Sequence, residues 1–537
     1  MRFKSDVAGG FQVFAVTGTN TISFAIQADP ASRAGLLGFS VRRSKAGEPL
    51  RTLPGFKVFK SIIPKPNRDT RVSTWDHPVQ SFVWDDFTAE PGVEYEYRFH
   101  PVSGTPKALK HGQPLAIKVR TEELFSGGEH DIFFNRGVAS SQLYARRFGN
   151  KRPDKLPAAK QAQALEWLTR QLDEAIVKFI EQARKGDRLL CCFYEFRYEP
   201  VLAALKSAID RGVRVEIIID AKVNERTVKG KLQPSFPREE NLAAIKAAGI
   251  RKTHIIERDA NPTNIQHNKF MVLVRGKAPV EVWTGSTNLS LGGFSGQTNV
   301  GHWVRNKAVA RAFKEYWDVL SEDPGSAKGD DLSVAKKRKN ELRKAVEAIG
   351  DAPAALADIP SGVTPVFSPR TTLKVLHLYM EIADSAKRVA CMTLAFGVGD
   401  KLKKRLLDNT GQSHVVFLLL EKKDAPRKNA KTPFVVINAQ NNVYKAWGAS
   451  LKDPLYQWVR ETNARQLQLN KHVSYIHSKF LLMDPLGKDP VVATGSANFS
   501  DASTTGNDEN MLLIRGDKRV ADIYFTEFNR LFNHYYF

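Results

Sequence analysis

The chain has 537 residues, 42% of them hydrophobic, and a formal net charge of +23. That length suits roughly three or four domains with real apolar cores. Three cysteines exclude a disulfide framework, and no apolar run reaches the roughly 20 residues that a membrane helix needs. The first ten residues lack the apolar core of a secretory signal, so a cytoplasmic protein is expected.

Residues 1–125 read as short alternating strands at 21–26, 38–42, 95–100 and 117–120, separated by turn residues such as Pro91-Gly92. This pattern predicts an antiparallel β-sandwich. The stretch 87–102 resembles the later strands of a fibronectin type III module. Trp84, Tyr95 and Tyr97 are read as its core, and its partner is left open.

The texture then changes. Helical stretches at 161–184, 200–211, 371–386 and 400–407 alternate with apolar runs at 188–196, 213–220, 388–396 and 414–420. The run at 188–196 recurs 200 residues later, with Cys191 and Cys391 at equivalent core positions. The fold class is therefore α/β, with two similar halves at 130–323 and 360–537 and largely parallel strands. Between them, 324–359 holds a loop and a basic amphipathic helix at 335–349. That helix is read as a solvated connector or a surface for polyanions.

One pattern occurs in both halves. His267-Asn268-Lys269 is followed by Gly285-Ser286-Thr287-Asn288, and His477-Ser478-Lys479 by Gly495-Ser496-Ala497-Asn498. Each His precedes its Gly by 18 positions. These residue types suit phosphodiester chemistry. Two lysines and two asparagines can hold non-bridging oxygens, one imidazole can attack phosphorus, and another can protonate the leaving oxygen. Each His and Lys, two apart on an expected strand, would share a face. No cofactor and no metal is called for, and His254, His302, His414 and His472 show no metal-ligand spacing.

These motifs resemble those of the phospholipase D superfamily, His-x-Lys-x4-Asp followed by Gly-Ser-x-Asn. The second copy carries Asp484 at the acid position, read as a structural support, and the first has Val274. The resemblance implies one active site made by the two halves, and a carboxylate beyond Gly-Ser-x-Asn bonded to the catalytic His. Glu509 stands there in the second copy and Asn299 in the first, each 14 positions past its Gly. Taking each within its own copy, Glu509 would keep His477 protonated as general acid, while Asn299 would orient a neutral His267 as nucleophile. The opposite order, with a carboxylate activating the nucleophile, stays open. The catalytic set is then His267, Lys269, Asn288, His477, Lys479, Asn498 and Glu509, with Ser286, Ser496 and Asn299 binding substrate.

The substrate is an anionic phosphodiester. Basic residues follow the expected strand at 213–220 (Lys222, Arg226, Lys229, Lys231) and the one at 414–420 (Lys422, Lys423, Arg427, Lys428, Lys431). Substrates bind beyond such strand ends in parallel α/β sheets. Paired motifs in one chain favour phospholipid head-group hydrolysis or transfer, with peripheral membrane contact. The charge favours a nuclease, and residues 289–294 are expected to contribute to a pocket. An inert binding scaffold is the third reading, supported by Val274 and Asn299.

Overall fold

Alternation of apolar and polar residues shapes the N-terminal region. In strand Phe11–Thr17 and strand Ile22–Ala28, every second side chain is buried. The computed structural model describes every residue except 56, 67–69, 71, 138–143, 145–146, 150, 152, 229, 412–413, 427–432, 449–475 and 537. It divides into two units. The first comprises Met1–Ser126 with Asp522–Leu531, and the second Gly127–Ala521 with Phe532–Phe537.

The first unit is built on two main antiparallel sheets. One pairs Arg2–Lys4, Phe11–Thr17, Ile22–Ala28 and Val83–Asp86; the other centres on Glu94–Thr105, flanked by Gly38–Lys45 and Leu115–Arg120. Val13, Ile22, Val41, Tyr97 and Phe99 form its core. The Tyr97 hydroxyl donates to Asp86 Oδ2 at 2.7 Å, which satisfies the polar tip of a fully buried ring. Tyr95 is buried as well, and Trp84 stacks on Phe24.

The second unit holds two seven-stranded sheets, whose strands are numbered here in chain order. The first comprises β1 (His130–Phe134), β2 (Arg188–Phe193), β3 (Arg214–Asp220), β4 (Ile255–Arg258), β5 (Lys269–Arg275), β6 (Ala278–Gly285) and β7 (Val300–Val304). The second comprises β8 (Gly362–Ser368), β9 (Val389–Leu394), β10 (Val415–Leu420), β11 (Val443–Trp447), β12 (Phe480–Met483), β13 (Val491–Gly495) and β14 (Glu509–Arg515). Their orders are β1-β7-β6-β5-β2-β3-β4 and β8-β14-β13-β12-β9-β10-β11. The second order is the first advanced by seven, so the duplication extends to the whole topology.

The sheets are mixed rather than largely parallel, which corrects the sequence expectation. In the first sheet, β2 pairs parallel with β3 and β3 with β4, while the remaining pairs are antiparallel. The reason is connection length. Helix Glu199–Asp210 carries the chain from β2 to β3, which allows a parallel return, whereas β5 and β6 are separated by Gly276 and Lys277 alone. Such a tight turn can only form an antiparallel hairpin, and Gly276 takes the left-handed φ of +59° that it requires. The motif strands sit in the middle of their sheets, and Phe270 to Val274 are almost wholly buried.

Helices cover these sheets. The single helix expected over 161–184 is two, Ala158–Thr169 and Leu172–Glu181, broken where Arg170 and Gln171 both take left-handed φ. There the Arg170 Nε donates to the Phe134 carbonyl at 2.8 Å in the interior. Helix Lys307–Ser321 is capped by the Asn306 side chain and buries Val309, Phe313, Tyr316, Trp317 and Leu320 on one face. The basic helix spans Leu332–Glu347, starting three residues before its expected position because the Asp331 carboxylate caps it. It buries Leu342 and Val346 and exposes Lys336 and Lys337.

Candidate active site

Both motifs converge. Lys269 opens β5 and Phe480 opens β12, so each His lies just ahead of its strand rather than on it. Each Lys still points back to its own His, with Lys269 Nζ donating to the His267 carbonyl at 2.5 Å and Lys479 Nζ to that of His477. The two imidazole rings face one another, with centroids 6.4 Å apart at 73°. Both rings and both ammonium groups are buried.

The pairings cross. His267 Nδ1 lies 2.9 Å from Glu509 Oε2, and His477 Nδ1 lies 2.8 Å from Asn299 Oδ1. Position within each copy pairs Glu509 with His477 and Asn299 with His267; the structure reverses both. The cause is the strand framework. Each 14-position partner stays beside its own Gly-Ser, with Ser496 Oγ donating to Glu509 Oε2 at 2.7 Å and Ser286 Oγ to Asn299 Oδ1 at 2.8 Å. Its far side then meets the other half, because two parallel bridges, Gln266–Asp508 and Thr298–Ile476, join the segments ahead of these residues.

Those bonds fix the imidazole tautomers. Once ionised, the Glu509 carboxylate only accepts, so His267 donates its Nδ1–H to it. Asn299 Nδ2 donates to the Gly293 carbonyl at 2.8 Å, leaving Oδ1 to accept from His477 Nδ1–H. Each ring therefore keeps an unprotonated Nε2, the lone pair that an attack on phosphorus needs.

Electrostatics keep both rings neutral at rest. Burial first, then Lys269 and Lys479, pull the His267 pKa well below its ordinary value, and burial and the same two lysines do this to His477. Burial also pushes the Glu509 carboxyl up to about 7, against the pull of both lysines, and lowers Lys269 to about 8. Lys479 falls well below its usual range through burial and the neighbouring Lys269. Burial thus works against the charge of both ammonium groups, and an entering anion would favour it.

The remaining predicted residues fall in place unevenly. Asn288 is buried against the site, and its Nδ2 donates to Glu195 Oε1 at 3.0 Å. Asn498 is half-buried; the Oδ1 atoms of both asparagines have no hydrogen-bond partner among the described residues. Asp484 lies away from the imidazoles and accepts from the backbone N–H groups of Lys387, Arg388 and Val389 at 2.7, 2.8 and 3.1 Å. In the first half Asp187, at the matching turn, accepts from Arg184 N at 2.9 Å, and Val274 carries no carboxylate. Lys222, expected in a basic loop, is buried beside Asp220. Arg226, Lys422 and Lys423 are exposed, while the side chains of Lys229, Lys231, Arg427, Lys428 and Lys431, and His472 with them, lie outside the described residues. Leu289 and Phe294 are buried, with Phe294 stacked on Tyr198.

Four supporting acids and one arginine escaped the sequence reading. Asp220 Oδ2 accepts from Gln266 N at 2.9 Å and Glu421 Oε2 from Ile476 N at 2.8 Å, so an acid at the end of β3 or just past β10 holds the residue before each His. Their signal was available as an acid closing an apolar strand in both copies. Asp508 anchors the same region by accepting from His267 N at 2.9 Å through its carbonyl and from Arg258 Nε at 2.6 Å through its carboxylate. Glu195, the fourth, had no counterpart to flag it, since Ala395 stands at the repeat position. Among the described residues, no cluster of three or more His, Cys, Asp or Glu is arranged to hold a metal ion. No helix among them is long and apolar enough to cross a membrane.

A family model described as a cardiolipin synthase, phospholipase D-like domain, matches residues 176–320 and again 378–532, more than half of the chain. The chain belongs to the phospholipase D superfamily. Each match takes in one His-x-Lys and Gly-Ser-x-Asn pair, as expected of a two-motif phospholipase D-like protein. Solved structures with a similar arrangement include a phosphatidylserine synthase from Haemophilus influenzae, at 11% identity over 68% of this chain and 85% of that one, with a TM-score of 0.42. A polyphosphate kinase from Porphyromonas gingivalis shows 10% identity over 64% of this chain at a TM-score of 0.39, and the present chain spans 43% of that kinase. Nuc from Salmonella typhimurium, a phospholipase D family member, shows 24% identity over 27% of this chain and 83% of its own, with a TM-score of 0.21. No curated protein sequence matches the chain.

Proposed function

We propose that this phospholipase D-like chain cleaves phosphodiesters in two steps through a phosphohistidine, with phospholipid as the substrate class. The observation that carries the reading is the pair of buried imidazoles, 6.4 Å apart, each with its Nδ1 held by the other half and each beside a buried lysine.

In the first step the His267 Nε2 lone pair attacks phosphorus and forms the N–P bond. The bond from phosphorus to the leaving oxygen breaks, and that oxygen takes the proton of His477 Nε2. Lys269, Lys479, Asn288 and Asn498 hold the non-bridging oxygens. In the second step a water gives its proton to His477, its oxygen attacks phosphorus, and the N–P bond breaks. An alcohol in place of water gives head-group transfer.

The crossed partners set the roles. Attack places positive charge on His267, and the Glu509 carboxylate at its Nδ1 balances that charge. Asn299 offers His477 only a neutral carbonyl, so the His477 imidazolium stays acidic enough to release its proton. The anionic phosphodiester supplies the opposite charge that lets His477 take up a proton on substrate binding. The order of roles thus matches the sequence reading, but for the opposite reason.

The lipid assignment draws on the family model described as cardiolipin synthase-like, which matches both halves. A second reading, cleavage of nucleic acid, draws on the net charge of +23 and on phosphate contacts by Lys and Arg. One experiment separates them: turnover in EDTA of mixed phospholipid vesicles against single- and double-stranded DNA and RNA, with His267→Ala and His477→Ala controls. Head-group release lost in both variants supports the lipid reading, whereas nucleic-acid cleavage lost in both replaces it. Turnover that survives in both variants sinks the site itself.

A further inference from the structure

The two Gly-Ser-x-Asn asparagines are not equivalent. Asn288 is bound by Glu195, which lies just beyond β2, is 1% exposed and has a second donor, Arg197 Nη2, on its Oε2 at 2.8 Å. Arg197 in turn pairs with Glu240. The backbone reinforces the arrangement, because Leu289 N donates to the Glu195 carbonyl at 3.2 Å and Phe196 forms a parallel bridge with Leu289. The repeat places Ala395 opposite Glu195, and a methyl group can do none of this. Glu195 is also among the groups whose charge favours the Lys269 ammonium, with Glu509, Cys192 and Asp220; Lys479 opposes them, and the Tyr194 ring lies 5.3 Å from Nζ.

Building on the phosphodiester chemistry above, we propose that Glu195 is a positioning residue. It locks the Asn288 carboxamide with one N–H committed and the other left for a phosphate oxygen, and it counterbalances Lys269, which makes the first half the anchoring side of the cradle. The amide orientation follows from chemistry, since a carboxylate accepts only from Nδ2 and so excludes the flipped amide. The Asn498 side has no such lock in the Ala395 half. A group fixed before substrate arrives spares the reaction the cost of ordering it.

The test uses the full chain with bis(p-nitrophenyl) phosphate as substrate and orthovanadate as a non-reacting probe read by calorimetry. Glu195→Ala, which copies Ala395, should lower kcat/KM roughly 10–100-fold. The same change on an Asn288→Ala background should cost clearly less, because only its effect on Lys269 is then left to lose. Glu195→Gln keeps the size but removes the charge, and should move the alkaline limb of the pH–rate profile to lower pH as Lys269 loses an anionic neighbour. Orthovanadate should bind more weakly to both single variants. Unchanged kcat/KM, an unmoved alkaline limb in Glu195→Gln, or equal losses on both backgrounds would overturn the proposal. If the unaltered protein turns over no phosphodiester, the functional reading fails. The role of Glu195 is then decided by orthovanadate alone, with weaker binding supporting it and equal binding refuting it.

Discussion

The two halves share one topology, strand for strand, and differ where chemistry would need them to differ. Beside the imidazoles the first half places Asn299 and the second Glu509; behind the asparagines the first has Glu195 and the second Ala395; at the turn acid the first has Val274 and the second Asp484. At the turn, Asp484 of the second half accepts from the backbone N–H groups of Lys387, Arg388 and Val389, whereas Asp187 of the first accepts from Arg184 N within its own turn. The imidazole partners differ more sharply, because among the described residues His477 Nδ1 is bonded to the Asn299 amide rather than to a carboxylate.

The largest effect should come from removing either imidazole, and the way activity is lost should tell the halves apart. His267→Ala and His477→Ala should each reduce turnover by about 10²–10⁴-fold or more. With a p-nitrophenyl leaving group, which needs little protonation, His477→Ala should still form the covalent intermediate and then stall. Quenched-flow and mass spectrometry should find phosphate on His267 in that variant and none in His267→Ala. Phosphate on His477 in the unaltered protein would exchange the two roles.

Next in size is Glu509→Gln, which makes the two imidazole partners alike. Turnover should fall on the order of 10²-fold. Stability should move the other way. The buried carboxyl binds its proton more tightly folded, near 7, than at its ordinary value of 4.5. Folding therefore carries no penalty from it below pH 4.5, and a growing one as pH rises to 7. Removing the charge should stabilise the protein at pH 8 by up to about 3 kcal/mol, with no gain at pH 4, as urea unfolding at the two pH values will read. A variant less stable at pH 8 would contradict the buried-charge account.

The pH–rate profile of the unaltered protein should be a narrow bell. Its acid limb rises near 7 as Glu509 ionises, and its alkaline limb falls near 8 as Lys269 loses its proton. A plateau extending to pH 10 would mean that the Lys269 charge is not needed.

The smallest effect concerns the turn acid. Asp484→Ala should cost about 1–3 kcal/mol in urea unfolding, since three backbone N–H groups lose their acceptor, while kcat stays within a few-fold. A large loss of turnover at full stability would place Asp484 in the chemistry instead.

Much of this site was legible in the sequence, because the motif residues cluster tightly along the chain and each is read within its own half. Lys269 and Gly285 sit on neighbouring strands, with His267 and Asn288 just beyond the same ends, so their spacing reports their geometry. The crossed pairing was not legible. Glu509 and His267 are 242 positions apart, and only the bridges at Gln266–Asp508 and Thr298–Ile476 reveal that each imidazole looks into the other half. Strand direction failed for a related reason. The apolar runs marked buried strands correctly, but hydrophobicity does not distinguish parallel from antiparallel, and the length of the β5–β6 turn decided it. Glu195 stayed hidden because the repeat offered no second acid to compare with it.

The crossed pairing has a consequence for ancestry. An enzyme built from two identical copies of a one-motif chain must set the same side chain beside both imidazoles, since any substitution appears twice. Joining two copies in one polypeptide lifts that constraint. Position 299 is free to hold an amide while position 509 holds an acid, and a site with two interchangeable ends gives way to one with a fixed direction.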